Sequence, residues 1–416
     1  MPTHCYDAGH GHRRAPLRQA IVDLDDRKVL PVLDTGVVPV STQTQDFDEA
    51  TVDARFGLRP ALKPIRITQP QGKNFTIDGG FIVGRSGSST SATSGARARS
   101  SRWRPTTAGR CCTRARWPRS ACRTRTRAGN PIWRHYEFLA NGLYEGRAEV
   151  ELVVRMISQV GNYDYLIDWV FTQHGAIRVD VGLTGIDIPK GVRSTTLHDP
   201  TAAADTAFGT LVAPQIVAPF HSHFFNFRLE VDVDGRNNSF VLGRLKTLNV
   251  QGSPRKSVWV LDEEVLAREK DARLDEPDVW KVVSGSRKNA LGYPTGFVLE
   301  SHGHANPLLK KADFRRAGFI EHALWVTAFD ADERFAAGDT PNQNPDEPGL
   351  PRYVADNESI VNRDIVLWHT VSFHHVTAAE DYPVLPREHA SFELKPITSS
   401  TGNPALDLRR APFEVP

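Results

Sequence analysis

Apolar and polar residues alternate with a period of two through most of the chain beyond Asn130. The pattern is plain in "AEVELVVRMI" (148–157), "YDYLIDWVF" (163–171), "AIRVDVGLTGI" (176–186), "FFNFRLEVDVDG" (224–235) and "SFVLGRLKTLNV" (239–250), with Gly, Asn or Asp near most of the ends. Successive side chains of a strand point to opposite faces, so such runs bury one face and wet the other. The pattern returns in "GFVLESH" (296–302), "HALWVTAFD" (322–330), "DIVLWHTVSFHHV" (364–376) and "ASFELKPI" (390–397). Upstream, between Ala20 and Ile77, "AIVDL", "KVLPVL", "GVVPV" and "IRITQP" are broken by Pro, Gly and Asp at strand-like spacing. "DEEVLAREKDARL" (262–274), with charges four apart, is one of the few stretches that reads as helix. The predicted fold is mainly β, a large antiparallel β-sandwich with few short helices and long excursions between strands.

One stretch breaks the pattern. From Arg85 to Ala128 there are twelve arginines, no lysine, no acid, and no Leu, Ile, Val, Met or Phe. Such a segment cannot fill a core and is expected to be disordered or loosely draped. An Arg-rich arm for nucleic acid is the other reading of its composition. The tract also distorts the charge balance: Lys+Arg 51 against Asp+Glu 49 leaves +2, which becomes −10 without it. Bulk charge therefore gives no case for nucleic acid or for a membrane. The expected organisation is a flexible tail at 1–19, a linker with first strands at 20–84, the aberrant tract at 85–128, and the β-sandwich at 129–416. His4, His10 and His12 lie close together in the tail, without anything to set a metal geometry. Three of the four cysteines (Cys111, Cys112, Cys122) fall in the tract, so neither a disulfide framework nor a cysteine zinc site is supported. Neither the apolar core of a signal peptide nor a membrane-length apolar window is present, and an intracellular location, cytoplasmic or peroxisomal, is expected.

The candidate chemistry lies in histidines. "APFHSHFFNF" puts His221 and His223 two apart in a strand-like run, so both imidazoles leave one face with room for an ion between them. "VSFHHVTAAEDYP" offers His374 and His375 on another strand, one inward and one outward. Three neutral imidazoles without thiolate suit copper(II) or zinc, and three protein ligands leave positions open for water or oxygen. Ordinary buried or surface histidines are the bland alternative for a lone His-x-His; a second histidine strand favours the metal. "SQVGNYDYLIDW" (158–169) adds a tyrosine straight after a Gly-Asn turn. A redox metal with an open oxygen site beside such a ring is equipped to oxidise it to a quinone, whose carbonyl condenses with primary amines.

Here a resemblance becomes specific. "VGNYDY" resembles the Asn-Tyr-(Asp/Glu)-Tyr topaquinone motif of the copper-containing primary amine oxidases. The resemblance implies that Tyr163 is the cofactor precursor, with Asn162 and Asp164 positioning the ring and shaping the amine pocket. "APFHSHFFNFRLEVDVDG" is similar to the family segment with two copper histidines, and "DIVLWHTVSFHHVTAAEDYPVLP" to that with the third, so copper(II) falls to His221, His223 and His375. His374 occupies a position the family fills variably and is expected to face outward. A second, calcium-like ion is implied at Glu230, Val231, Asp232, Asp364 and Ile365, with Glu230 standing where aspartate is usual; acids on a solvated strand face would look the same. The likeness spans nearly everything from about Ala20 except the tract. It implies oxidation of primary amines by O2 to aldehyde, ammonia and hydrogen peroxide, and a homodimer with exchanged β-hairpin arms.

One part of the family pattern is missing. Its general base, an aspartate, and a Val-Pro-Tyr-Gly/Ala-Asp-Pro segment lie in a passage that this chain replaces with the Arg-rich tract, dozens of residues too short. Legal codons for Ala121–Arg127, "ACRTRTR", can be chosen to spell Val-Pro-Tyr-Ala-Asp-Pro one frame over. The tract is therefore read as a displaced reading frame followed by a deletion, with amine turnover impaired for want of the base. Two rivals remain open: a catalytically silent copper-binding relative, and a cupin-like histidine-metal oxygenase in which Tyr163 stays unmodified.

Overall fold

A computed structural model describes the strands at 19–23, 28–33, 75–78, 81–84 and 121–137, position 54, and residues 143–405 apart from 253–255, 276–277, 343, 345–347 and 401. Twenty strands occur among the described residues: β1 (Gln19–Asp23), β2 (Lys28–Leu33), β3 (Phe75–Asp78), β4 (Phe81–Gly84), β5 (Ala121–Glu137), β6 (Leu143–Val160), β7 (Tyr163–Phe171), β8 (Ile177–Gly185), β9 (Lys190–Gly191), β10 (Gly209–Ala213), β11 (Ile216–Pro219), β12 (His221–Glu230), β13 (Asn238–Asn249), β14 (Ser257–Val265), β15 (Arg273–Leu274), β16 (Val279–Lys288), β17 (Pro294–His302), β18 (Leu324–Ala328), β19 (Ile365–His375) and β20 (Leu385–Ile397). Helices in the described residues are short, the longest a seven-residue 3₁₀ stretch at Arg315–Glu321 that is kinked at Ala317.

A nine-stranded antiparallel sheet, ordered β14-β13-β16-β17-β20-β8-β7-β6-β5, faces a four-stranded sheet ordered β12-β19-β18-β15. Their inner faces make one core. Val179, Val181, Phe240, Leu242, Trp280 and Phe392 of the large sheet pack with Leu229, Leu324, Val326, Leu367 and Val371 of the small one. The small sheet is covered on its far side as well, by Phe319, Ile320, Leu350 and Val354 against Trp325, Val366 and Trp368. β19 is thus sandwiched, with every side chain from Ile365 to Ser372 buried. That explains why "IVLWHTVS" is a nearly unbroken apolar run, as strands covered on both faces are.

Two expectations are corrected. The helix expected over 262–274 is instead the end of β14, a loop, one 3₁₀ turn at Glu269–Asp271 and the short strand β15. Its charges serve pairing across strands: Asp262 meets Lys246 and Glu264 meets Arg244 of β13, while Glu263 meets Lys281 of β16. Residues 121–128, expected to lack order, open β5, with Ala121 opposite Arg155 and Thr126 opposite Val150 of β6. Main-chain pairing needs no aliphatic side chain, and "RTRTR" has the period and the β-branched threonines of a strand. The remainder of the tract and the runs "GVVPV" and "IRITQP" lie outside the described residues.

Candidate metal centre

The β6–β7 hairpin sets the first component. Val160 pairs with Tyr163, leaving Gly161 and Asn162 as a two-residue turn, and Gly161 takes φ +64°, as a primed hairpin turn requires of its first residue. Tyr163 therefore begins β7 at a fixed register, with its ring turned inward against Leu183 and Leu385 and 4% exposed. On the other side Tyr163 pairs with Gly185 of β8, where φ is +105° and an added Cβ would come within 2.6 Å of the Asn162 carbonyl. Only glycine permits that approach.

The small sheet supplies the rest. β12 and β19 run antiparallel with His221 opposite His375 and His223 opposite Phe373, so three imidazoles share one face at the sheet's end. Their ligand atoms all lie within 4.8 Å of one another. The ring of His221 stands 4.7 Å from that of His223 and 4.9 Å from that of His375, centre to centre, and the Tyr163 ring is 5.1 Å from His223. His374 is exposed, its Nδ1 2.7 Å from Ser222 Oγ, as the outward residue of the pair.

Hydrogen bonds fix which nitrogens face inward. His221 Nδ1 donates to the Pro219 carbonyl at 2.8 Å, which leaves Nε2 as a lone pair. His375 Nε2 donates to Asp381 Oδ2 at 3.2 Å, and the Ala378 amide donates to the same oxygen at 2.7 Å. His375 Nδ1 and His223 Nε2 are buried with no hydrogen-bond partner. Burial, then the neighbouring His221 and His375, push His223 down to about 3, so it is a neutral donor ligand at physiological pH. Tyr163 sharpens the picture, because its hydroxyl donates to Asp187 Oδ1 at 2.6 Å while lying 2.8 Å from His221 Nε2. One proton cannot serve both acceptors. With that proton on the Asp187 side, a phenol oxygen and an imidazole lone pair face each other with nothing between, an arrangement that a cation relieves. A donor set of three neutral imidazoles beside a phenol oxygen fits copper(II).

A family profile described as "Copper amine oxidase, enzyme domain" matches residues 103–414. The chain belongs to this copper amine oxidase family. A primary amine oxidase of Klebsiella aerogenes is 31% identical, over 97% of this chain and 63% of its own length. A copper-containing amine oxidase alpha 2 of Arabidopsis thaliana, named as peroxisomal, is 36% identical over 69% of this chain and 43% of its own. The chain thus spans less than two thirds of these relatives. Its alignment to the Klebsiella protein runs to 492 positions, longer than the chain's own 416 residues, so stretches of that relative have no counterpart here. The crystal structure of a copper-containing benzylamine oxidase from Hansenula polymorpha has a TM-score of 0.72 at 20% identity, covering 94% of this chain and 72% of that one, which shows a common fold.

Within this copper amine oxidase domain the remaining sequence-derived residues fall as follows. Asn162 sits in the turn, its carbonyl accepting from the Ile186 amide at 2.9 Å and its Nδ2 donating to the Asp187 carbonyl at 3.4 Å. Asp164 follows Tyr163 in β7, so alternation sends it to the opposite sheet face, paired with Gln159 and Thr184. From there its side chain is turned away from the ring. Glu230 at the end of β12 is ion-paired with Arg228. Asp364 stands just before β19, 3.6 Å from Arg236 Nε, and burial followed by repulsion from Asp232 raises its carboxyl above the ordinary range. Sequence reasoning missed Asp187, Asp381 and the contact of Tyr165 Oη with His223 Nδ1 at 3.4 Å. Asp381 was within reach, six residues after His375 in "HVTAAED", since metal-binding histidines commonly carry a carboxylate on their other nitrogen. Asp187, twenty-four residues from Tyr163, gave no local signal.

Proposed function

We propose that the protein is a copper- and topaquinone-dependent primary amine oxidase, catalysing RCH₂NH₂ + O₂ + H₂O → RCHO + NH₃ + H₂O₂. The observation that carries this reading is the convergence of the inward nitrogens of His221, His223 and His375 beside the hydroxyl of Tyr163. Copper(II) held by His221, His223 and His375 would supply the oxidation of Tyr163 (tyrosine + 2 O₂ → quinone + H₂O₂), and the quinone would supply the electrophile that takes two electrons from the amine. The chain's own residues hold the geometry. The Pro219 carbonyl and Asp381 fix the tautomers of His221 and His375, Tyr165 braces His223, and the Gly161–Asn162 turn and Gly185 seat Tyr163. The names of the relatives support the same substrate class.

The passage expected to carry the family's general base falls largely outside the described residues, and no residue here is assigned that role. Loss of a general base typically slows turnover on the order of 10²–10⁴-fold, so Tyr163 conversion is expected to persist while amine oxidation is weak. The silent copper-binding relative is the limiting case of that impairment. The decisive experiment is to load metal-free protein with copper in air and weigh the peptide containing Tyr163. A gain of two oxygens with loss of two hydrogens supports the reading; an unmodified tyrosine in copper-replete protein sinks it. Peroxide release with a panel of primary amines then separates a working oxidase from a silent one.

Two further parts belong to the same reading. Glu230, Asp232 and Asp364, with the carbonyls of Val231 and Ile365, are proposed to hold a calcium-like ion, because Asp364 faces Asp232 closely enough to be raised by its charge. Millimolar calcium should then raise the melting temperature, and Asp232→Asn should abolish the gain. The protein is also proposed to be a homodimer. The β13–β14 hairpin exposes Leu245, Trp259, Leu261 and Val265 on one face, an apolar surface suited to a second subunit. An intracellular location, cytoplasmic or peroxisomal, completes the proposal, and the Arabidopsis relative's name supports it.

A further inference from the structure

We infer that Asp187 is a positioning residue that aims the hydroxyl of Tyr163 at the metal, and this rests on the reading of Tyr163 as the quinone precursor. Asp187 is 3% exposed and lies in the loop after β8, not in the Tyr163 motif. Its Oδ1 accepts two hydrogen bonds, from the Tyr163 hydroxyl at 2.6 Å and from the Ile188 amide at 2.7 Å. The second bond comes from the adjacent residue's backbone and fixes the carboxylate's direction. The loop itself is tied to the precursor turn, through the Ile186 amide to the Asn162 carbonyl and the Asn162 side chain to the Asp187 carbonyl. Gly185 allows this loop to lie against the Tyr163 backbone.

The effect follows from proton counting. A phenol has one proton, and by accepting it Asp187 leaves the oxygen's lone pairs directed at the space beside His221 Nε2, 2.8 Å away. Without that acceptor the hydroxyl would donate to His221 Nε2 instead, which occupies the lone pair the metal needs. Asp187 is 4.0 Å from His221 Nε2, outside hydrogen-bond reach, and the three-histidine set does not include it. Its action is therefore on the phenol and not on the metal. Rotating the ring away from the ion would slow the step in which two ring positions gain oxygen from two O₂, with one H₂O₂ released.

The test uses the full chain, made without metal, loaded with copper in air, as wild type and as Asp187→Ala, Asp187→Asn and Asp187→Leu. Leucine fills the aspartate's place without an acceptor, which keeps the comparison if alanine leaves the loop loose. Two quantities are measured: copper bound per chain, and the rate at which the Tyr163 peptide gains two oxygens and loses two hydrogens. The expected result is undiminished copper binding in all four proteins. Conversion should slow by about tenfold or more in the alanine and leucine variants, as loss of a charge-assisted hydrogen bond implies. Asp187→Asn, whose carbonyl still accepts, should keep most of the rate. Wild-type conversion rates in both the alanine and leucine variants, an asparagine variant as slow as alanine, or copper lost on substitution would each overturn the inference. If wild type itself leaves Tyr163 unmodified while binding copper, the proposed function fails first and the inference falls with it.

Discussion

At Tyr163 a single proton is contested by a carboxylate and an imidazole, and burial together with Asp187 lifts the phenol far above its ordinary pKa. In the metal-free protein the ring is accordingly a neutral phenol, and a bound dication would change that balance. Tyr163→Phe should bind copper with little loss, yet form no quinone and oxidise no amine; its peptide mass and peroxide output check both halves. Asp381 acts from behind His375, so Asp381→Asn or Asp381→Ala should weaken copper binding by roughly 10–100-fold, measurable by competition with a chelator. His221 and His223 were legible from their local spacing, while His375 and Tyr163 were picked out by resemblance to family motifs. Asp187 was illegible because it meets Tyr163 only through the β7–β8 pairing, a contact that no motif encodes.

The elements divide by how many of their faces are covered. β19 lies between two apolar layers, and the Trp368 ring in it is fully buried, its Nε1 donating to Thr327 at 3.0 Å. Trp368→Ala should cost about 3–5 kcal/mol of stability, read by denaturant unfolding. Trp259, 72% exposed on the β14 arm, is the contrast. Trp259→Glu should leave the fold intact and weaken self-association, seen as a smaller mass in sedimentation. Strand identity was legible wherever alternation was strong, as in β7, β8 and β12. It failed at 262–274, where cross-strand ion pairs from β13 and β16 mimicked the four-residue charge spacing of a helix. It failed also at 121–128, where composition masked a threonine-arginine alternation that the β6 edge accepts as a partner.

Across the whole molecule, buried groups that resist charge pull the response to pH in opposite directions: burial pushes His223 and His369 down to about 3 and lifts several acids. Glu333 is raised to about 7 by burial first and then by Glu269, Asp330, Asp356 and Glu358; Glu269 and Asp364 are raised as well. A carboxyl whose folded pKa exceeds its unfolded value binds more protons when folded, so it favours the native state at low pH and loses that contribution as pH rises toward and through 7. The two neutral histidines work the other way, gaining stability as pH rises toward their unfolded value near 6.5, so the part due to Glu333 is read by difference. Glu333→Gln should gain stability at about pH 7 relative to about pH 5 when its thermal melts are compared with wild type; an unchanged difference would remove Glu333 as a contributor. The sandwich was readable from alternating patterns, whereas this acid cluster joins three segments distant in the chain and could be seen only after folding.

The two-residue turn between Val160 and Tyr163 feeds a strand that is gripped on its other edge by β8, where Tyr163 pairs with Gly185. Extra residues in the turn would therefore bulge outward as a longer loop while the ring keeps its side of the sheet. Inserting glycines after Asn162 should slow quinone formation by degrees as the loop lengthens and leave copper binding intact, a tolerance that the second strand provides.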